Sequence, residues 1–177
     1  MLKELTIKLF FIIFLSSMIF SSAYALEISA FKPEEDGEAT ISFCKTLKIG
    51  NVSLNKKTLI QTVVFEKDEG GFENIALLNN NIANKIITCF EGVCNLEKSC
   101  KIVPYTLISA KKVKDKNLVI AKVAFGSDIS AIFLVSNFQK KNKIIYRVKT
   151  PQDLKFLSGK YKKNFRNWLI QETKNLL

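Results

Sequence analysis

The chain has 177 residues, 47% hydrophobic and 24% charged, so it is sized for one ordinary domain or two small ones and is neither disordered nor fibrous. Its formal net charge is +11, and it contains no histidine, which excludes histidine-dependent catalysis and histidine-containing metal sites. Neither the P-loop motif nor the glycine motif of dinucleotide-binding folds occurs. We therefore expect a protein that is not an enzyme and that binds no cofactor or metal.

The first 25 residues have the pattern of a secretory signal peptide. Lys3 and Lys8 provide a basic start, an apolar stretch begins at Leu9, and Ala23-Tyr24-Ala25 matches a small-residue cleavage site. The apolar stretch is about 12 residues long, whereas a membrane-spanning helix requires roughly 20. We expect cleavage after Ala25 and an exported, periplasmic or extracellular protein without a transmembrane segment.

Short apolar runs, alternating or β-branched, then predict strands with one buried face. In the first half these strands are residues 27–30, 39–43, 49–54 and 59–65. The run 68–71 is acidic and glycine-rich, and it is typical of a solvated turn because it lacks the ligand spacing of an EF-hand calcium site. Asparagines 79–81 then offer N-cap residues for a helix whose core face is formed by Ile82, Ile86 and Phe90.

The second half repeats this order of elements. Its predicted strands are residues 107–110, 121–125, 129–134 and 144–148, and a second helix follows with Phe165, Trp168 and Leu169. Chance similarity between strands rich in valine and isoleucine is the alternative, but the shared order and similar gaps favour a duplication.

Duplication has a physical reason, because a four-stranded sheet with one helix leaves a face and its edges open. We therefore predict an α+β fold of two tandem copies of a small antiparallel sheet of about four strands with a C-terminal helix, packed as an intrachain pseudo-dimer. The predicted divisions are a signal peptide (1–25), a first unit (26–88), a cysteine-rich connector (89–104) and a second, basic unit (105–177).

Three segments of the first unit, residues 39–43, 47–54 and 70–76, follow the order and spacing of a known family. The last, Gly70-Gly71-Phe72-Glu73-Asn74-Ile75-Ala76, is the most specific of them. On these segments the unit resembles the stage V sporulation protein G family, also called the septation-protein family. The resemblance implies an α+β unit that dimerises through its sheet, a role in septation or sporulation control, and nucleic-acid binding in several members. The chain departs from the family pattern in two ways. It has an export signal, whereas family members are normally cytosolic, and residues 63–67 replace the family's Met-Pro-Ser and the basic residues that follow it.

All four cysteines follow the predicted signal peptide, and an even number in an exported chain indicates disulfides. The candidates are Cys44, Cys89, Cys94 and Cys100. None of the spacings is that of a C-x-x-C redox or zinc motif, although a metal site and redox-active thiols remain alternatives. Four cysteines allow three pairings, and we expect Cys44 to reach across to the cluster formed by the other three.

Positive charge is concentrated in the second unit. Residues 26–88 carry seven lysines and nine acidic residues, whereas residues 105–177 carry 16 basic and four acidic residues. Basic clusters interleaved with aromatic residues are typical of polyanion-binding surfaces. The candidate residues are Lys111, Lys112, Lys114, Lys140, Lys141, Lys143, Arg147, Lys160, Lys162, Lys163 and Arg166.

Together these patterns predict a non-catalytic, exported binding or regulatory protein, which its family resemblance would link to division or to septum and envelope processes. Its partner would be an anionic component of the envelope or another protein. The alternatives are a nucleic-acid-binding regulator that acts through the basic second unit, a thiol oxidoreductase that uses the cysteine cluster, and a surface on which the lysines serve only for solvation.

Overall fold

A computed structural model of the chain describes residues 25–55, 62–65, 74–97 and 102–177. The predicted signal sequence up to residue 24, the predicted turn at residues 68–71 and Cys100 lie outside this part of the chain. The described residues form two antiparallel sheets and two helices, so the predicted α+β class with a C-terminal helix is confirmed.

Each sheet contains five of the described strands, one more than the four expected. The first sheet consists of β1 (Ile28–Pro33), β2 (Ala39–Phe43), β3 (Leu47–Asn55), β4 (Thr62–Phe65) and β10 (Leu154–Phe156). The second sheet consists of β5 (Ile75–Leu77), β6 (Tyr105–Lys112), β7 (Leu118–Phe125), β8 (Ile129–Lys140) and β9 (Lys143–Lys149). The helices are α1 (Asn80–Phe90) and α2 (Gly159–Thr173), and single 3-10 turns lie at Glu35–Gly37 and Lys174–Leu176.

The two sheets have corresponding strand orders, β1-β2-β3-β10 and β6-β7-β8-β5. Each is completed by a three-residue strand from the other half of the chain. Ile75 of β5 pairs with Ala131 of β8, and Leu154 of β10 pairs with Ile49 of β3. The remaining parts of β3 and β8 pair with the strand that follows each of them, β4 and β9 respectively. The halves of the chain are therefore joined by backbone hydrogen bonds as well as by side-chain packing.

Alternation along the strands determines which residues enter the core. Ala39, Ile41 and Phe43 of β2 are fully buried, and Val119, Ala121, Val123 and Phe125 of β7 follow the same period of two. Apart from Ala39, these side chains belong to one continuous buried cluster that includes residues from both sheets and both helices. One core thus stabilises both halves of the chain.

Both helices begin at a capping side chain and bury a single face. The Asn79 side-chain oxygen accepts hydrogen bonds from the backbone N–H groups of Asn81 and Ile82, and the Ser158 hydroxyl accepts one from Tyr161 N–H at 3.3 Å. In α1 the predicted face is confirmed at Ile82 and Ile86. Phe90 is half-buried, and its ring packs edge-to-face on Phe31 with the ring centroids 5.1 Å apart.

An aromatic cluster fixes α2 on the second sheet. Phe165 is 1% exposed, and its ring lies within 6 Å, centroid to centroid, of five other aromatic rings. These rings belong to Tyr105, Phe125, Phe133, Phe156 and Trp168. Because Phe156 lies on β10 of the first sheet, the cluster also links the sheets.

Candidate polyanion-binding surface

Strand β8 is longer than its neighbour β7, and this difference produces a projecting hairpin. Leu118, the first residue of β7, pairs with Ser136, whereas β8 continues to Lys140 and pairs there with β9. Residues 137–146 therefore form a two-stranded arm beyond the end of β7, which we call the basic arm. Its turn residues Lys141 and Asn142 both have positive φ, 48° and 59°, as a two-residue hairpin turn requires.

The arm combines lysines with exposed apolar side chains. Lys140, Lys141 and Lys143 occupy its tip and are exposed. Ile144 is 64% exposed and Phe138 is 41% exposed. The Arg147 guanidinium carbon lies 5.6 Å from the centroid of the Phe138 ring, which is a cation–π distance. Phe138 pairs with Ile145, and Ile144 pairs with Gln139, so the arm presents positive charge at its tip and apolar surface on both of its faces.

A second group of predicted lysines lies at the same end of the second sheet. Lys111 and Lys112 end β6, and Lys114 lies in the turn that leads into β7 at Leu118. Val113 N–H donates a hydrogen bond to the Leu118 carbonyl at 2.8 Å, which closes this turn. Residues 111–117 and 140–149 carry nine basic residues and one acidic residue, Asp115, so like charges accumulate at this end.

The candidate residues on α2 are more scattered. Arg166 donates a hydrogen bond to the Tyr146 carbonyl at 2.8 Å, so it joins the base of the arm. Lys162 and Lys163 are exposed on the helix. Lys160 lines a different feature, a groove between the β2–β3 turn, residues 102–105 and the start of α2. The structure therefore places the candidate lysines at 111–114 and 140–143 at one end of the second sheet, joins Arg166 to them, and separates Lys160 from them.

That groove has a volume of about 630 Å³ and a predominantly apolar lining. Tyr161 forms part of its wall and donates a hydrogen bond from its hydroxyl to the Val103 carbonyl at 2.8 Å. Burial raises the pKa of Tyr161 well above the usual 10.0, and the neighbouring Tyr105 raises it further. The Tyr105 pKa is also raised by burial. Both phenols are therefore neutral hydrogen-bonding groups near neutral pH.

Sequence reasoning missed a second, polar cleft of about 330 Å³ on the first sheet. Lys48 of β3 and Lys155 of β10 are directly opposite each other there, and Glu34 and Asp153 also line the cleft. Asn51 has a φ of 51° and donates a hydrogen bond to Asp153 at 2.9 Å. No sequence signal connects these groups, because they meet only through the pairing of β3 with β10.

Two cysteines form the disulfide that is present in the described part of the chain, Cys89–Cys94. Cys44 is a buried free thiol whose sulfur lies 3.6 Å from the Glu27 carbonyl oxygen. The expected bridge from Cys44 to Cys89 or Cys94 is therefore wrong, because these two cysteines pair with each other across the end of α1. Cys100 lies outside the described residues.

Within the described ranges, no group of three or more cysteine, aspartate or glutamate side chains is arranged to hold a metal ion. Among these residues, no helix has the length and apolar character needed to cross a membrane.

Comparison with known proteins gives no relative, because no family model, no curated protein and no solved structure matches this chain.

Proposed function

We propose that this chain is an exported, non-catalytic binding protein that attaches through its basic arm to anionic lipid at a cell-envelope surface. The observation that carries the proposal is the arm itself, which presents three exposed lysines at its tip and the exposed side chains of Phe138 and Ile144 on its two faces. Lysines are attracted to anionic headgroups, and apolar side chains gain by leaving water for the interface. Nucleic acid also attracts lysines, but the apolar tip favours lipid.

Export is supported by the predicted signal peptide and by the Cys89–Cys94 disulfide, since disulfides persist in oxidising compartments. The resemblance of the first unit to the septation-protein family would place this attachment in septum or envelope processes. A non-catalytic role is consistent with the absence of histidine from the sequence.

The proposal includes an architecture of two copies of one unit packed as an intrachain pseudo-dimer. It is supported by the reciprocal exchange of β5 and β10, which is the pattern that a strand-exchanged two-fold dimer would have. It is also supported by matching local details: both central hairpins turn through three residues, 44–46 and 126–128, and both helices begin at a side-chain cap.

The test of lipid binding is co-sedimentation of the exported protein with phosphatidylglycerol vesicles and with phosphatidylcholine vesicles. We expect binding to the anionic vesicles at low ionic strength and its loss at high salt. Replacement of Lys140, Lys141 and Lys143 by glutamate removes three basic residues worth about 1 kcal/mol each, so affinity should fall at least about 100-fold. Ile144→Ser should weaken binding about tenfold at any salt concentration, because it removes apolar contact.

A matched control is the triple replacement of Lys160, Lys162 and Lys163 by glutamate on α2, which changes the net charge equally. If this control loses as much affinity, overall charge and not the arm determines binding, and the proposal is wrong. Retention of single-stranded DNA without any binding to anionic vesicles would favour the nucleic-acid alternative.

A further inference from the structure

A buried carboxylate faces the point where the chain enters the fold. Asp128, in the β7–β8 turn, is only 2% exposed. Its carboxylate accepts hydrogen bonds from the backbone N–H of Leu26, from the Asn79 side-chain amide and, at 3.3 Å, from the Ser127 hydroxyl. All three donors are neutral, and no lysine or arginine in the described ranges forms an ion pair with Asp128. A buried negative charge is costly when no positive charge compensates it.

The donor at Leu26 is next to the predicted cleavage site. Ala25 is exposed, whereas Leu26 is 2% exposed and belongs to the core. Hydrolysis of the Ala25–Leu26 peptide bond by a signal peptidase consumes one water, leaves a carboxylate on Ala25 and leaves an α-ammonium group on Leu26. The nitrogen that now donates one neutral hydrogen bond to Asp128 would then carry a positive charge and three donors.

The corresponding turn of the first sheet provides an internal comparison. Thr46 and Asp128 occupy matching places, because the Thr46 carbonyl accepts a hydrogen bond from Leu157 N–H and the Asp128 carbonyl accepts one from Leu78 N–H. The turn with Thr46 lies beside the continuous segment 102–105, where this cleavage creates no chain end. The carboxylate is thus found at the turn that faces the predicted new N-terminus.

We propose that signal-peptide removal after Ala25 creates an α-ammonium group at Leu26 that forms a buried ion pair with Asp128 and thereby stabilises the processed fold. The Lys85 Nζ lies 3.5 Å from the Leu26 carbonyl oxygen, but it is paired with Glu27 at 2.8 Å and not with Asp128. Because Leu26 is buried in the folded chain, cleavage precedes the docking of the new N-terminus. This inference rests on the export and processing in the proposed function.

The test compares four exported proteins, each processed from the full-length precursor by an expression host. Two have the natural sequence around the site, with Asp128 or with Asp128→Asn. The other two carry one alanine inserted between Ala25 and Leu26, again with Asp128 or with Asp128→Asn. Cleavage after Ala25 then yields chains whose ammonium group lies one residue before Leu26, while the Leu26 amide can still donate to Asp128. Intact-mass measurement identifies the N-terminus of each protein.

Urea denaturation followed by Trp168 fluorescence gives the unfolding equilibrium of each protein. We expect Asp128→Asn to reduce the folding equilibrium constant about 10- to 100-fold more in the chains that begin at Leu26 than in the chains with the inserted alanine. Equal effects in the two backgrounds would overturn the ion pair.

A second measurement needs no Asp128 variant, in case Asp128→Asn does not fold. The Leu26 α-amine should react with an amine-acylating reagent at least about tenfold more slowly than the α-amine of the chain with the inserted alanine, because only the former is buried and paired. Equal reaction rates would overturn the inference. A mature N-terminus at another residue would contradict both the inference and the predicted processing. An N-terminus at Leu26, combined with an equal effect of Asp128→Asn in both pairs of proteins, would contradict the inference alone.

Discussion

Tyr161 shows how one side chain can make stability depend on pH. The residue is 8% exposed, and its hydroxyl donates a hydrogen bond to the carbonyl of Val103, which is itself a buried residue. Burial raises the Tyr161 pKa above its usual value, so the folded state holds the phenolic proton more tightly than the unfolded state does. The resulting stability is complete below about pH 10 and is lost as the pH rises above that value.

We expect the free energy of unfolding to fall more steeply above pH 10 in the natural protein than in a Tyr161→Phe variant. At neutral pH this variant should be about 1 kcal/mol less stable, because it lacks the hydrogen bond to Val103. Urea denaturation between pH 7 and pH 11 measures both effects. Parallel pH profiles for the two proteins would contradict the assignment of the alkaline loss to Tyr161.

The capping side chains of the two helices differ in the number of other hydrogen bonds that they form. Ser158 accepts one hydrogen bond, from Tyr161 N–H. Asn79 caps α1 and also donates from its amide to the Ser127 carbonyl at 3.0 Å and to Asp128. The Asn79 side chain therefore fixes α1 to the β7–β8 turn as well as starting the helix.

We expect Ser158→Ala to reduce stability by about 1 kcal/mol and Asn79→Ala by about 2–3 kcal/mol, since the latter also leaves buried groups of the turn without a donor. The midpoints of urea unfolding of the two variants provide the comparison. Equal losses would show that the contacts of Asn79 with the turn contribute nothing to stability.

Much of the strand and helix pattern could be predicted because it is periodic. The alternation at Ala39–Phe43 predicts β2 with its observed bounds, and the four-residue spacing of Ile82 and Ile86 predicts the buried face of α1. The strands β5 and β10 could not be predicted, because three residues are too few to show a period. The start of α2 could not be predicted, because the lysines before Phe165 conceal the first turn that Ser158 caps.

The strand register and the pairing of distant strands also could not be predicted from the sequence pattern. The hairpin pairings Phe43–Leu47 and Phe125–Ile129 align Leu47 with Ile129, whereas the sequence repeat aligns Ile49 with Ile129. Both alignments keep the same face buried, because they differ by two residues, which is one period of a strand. The sequence predicts only a lysine cluster at the arm, because the projection of the arm depends on where β7 begins.

For the whole molecule, the exchanged strands predict that the two sheets unfold together. Leu154 of β10 is 3% exposed and pairs with Ile49 of the first sheet, although it belongs to the second half of the chain. Leu154→Ala should reduce stability by about 2–5 kcal/mol, because it creates a cavity in the shared core.

In the Leu154→Ala variant, hydrogen exchange should show a loss of stability in both sheets. The protected amides of β2 and β7 should exchange faster by the same factor. Leu176→Ala is a suitable control, since Leu176 is 38% exposed and its replacement should change little. Faster exchange confined to the first sheet after Leu154→Ala would contradict a single cooperative unit.

The exchange of β10 also sets an order of events during biosynthesis. Asn51 and its partner Asp153, which flank the pairing of β3 with β10, are 102 positions apart in the chain. Until the ribosome has delivered Asp153, this part of β3 has no neighbour on one side and presents unpaired backbone groups. The first half therefore cannot reach its native form while the second is still being made, which would suit the proposed export through a channel that accepts only unfolded chains.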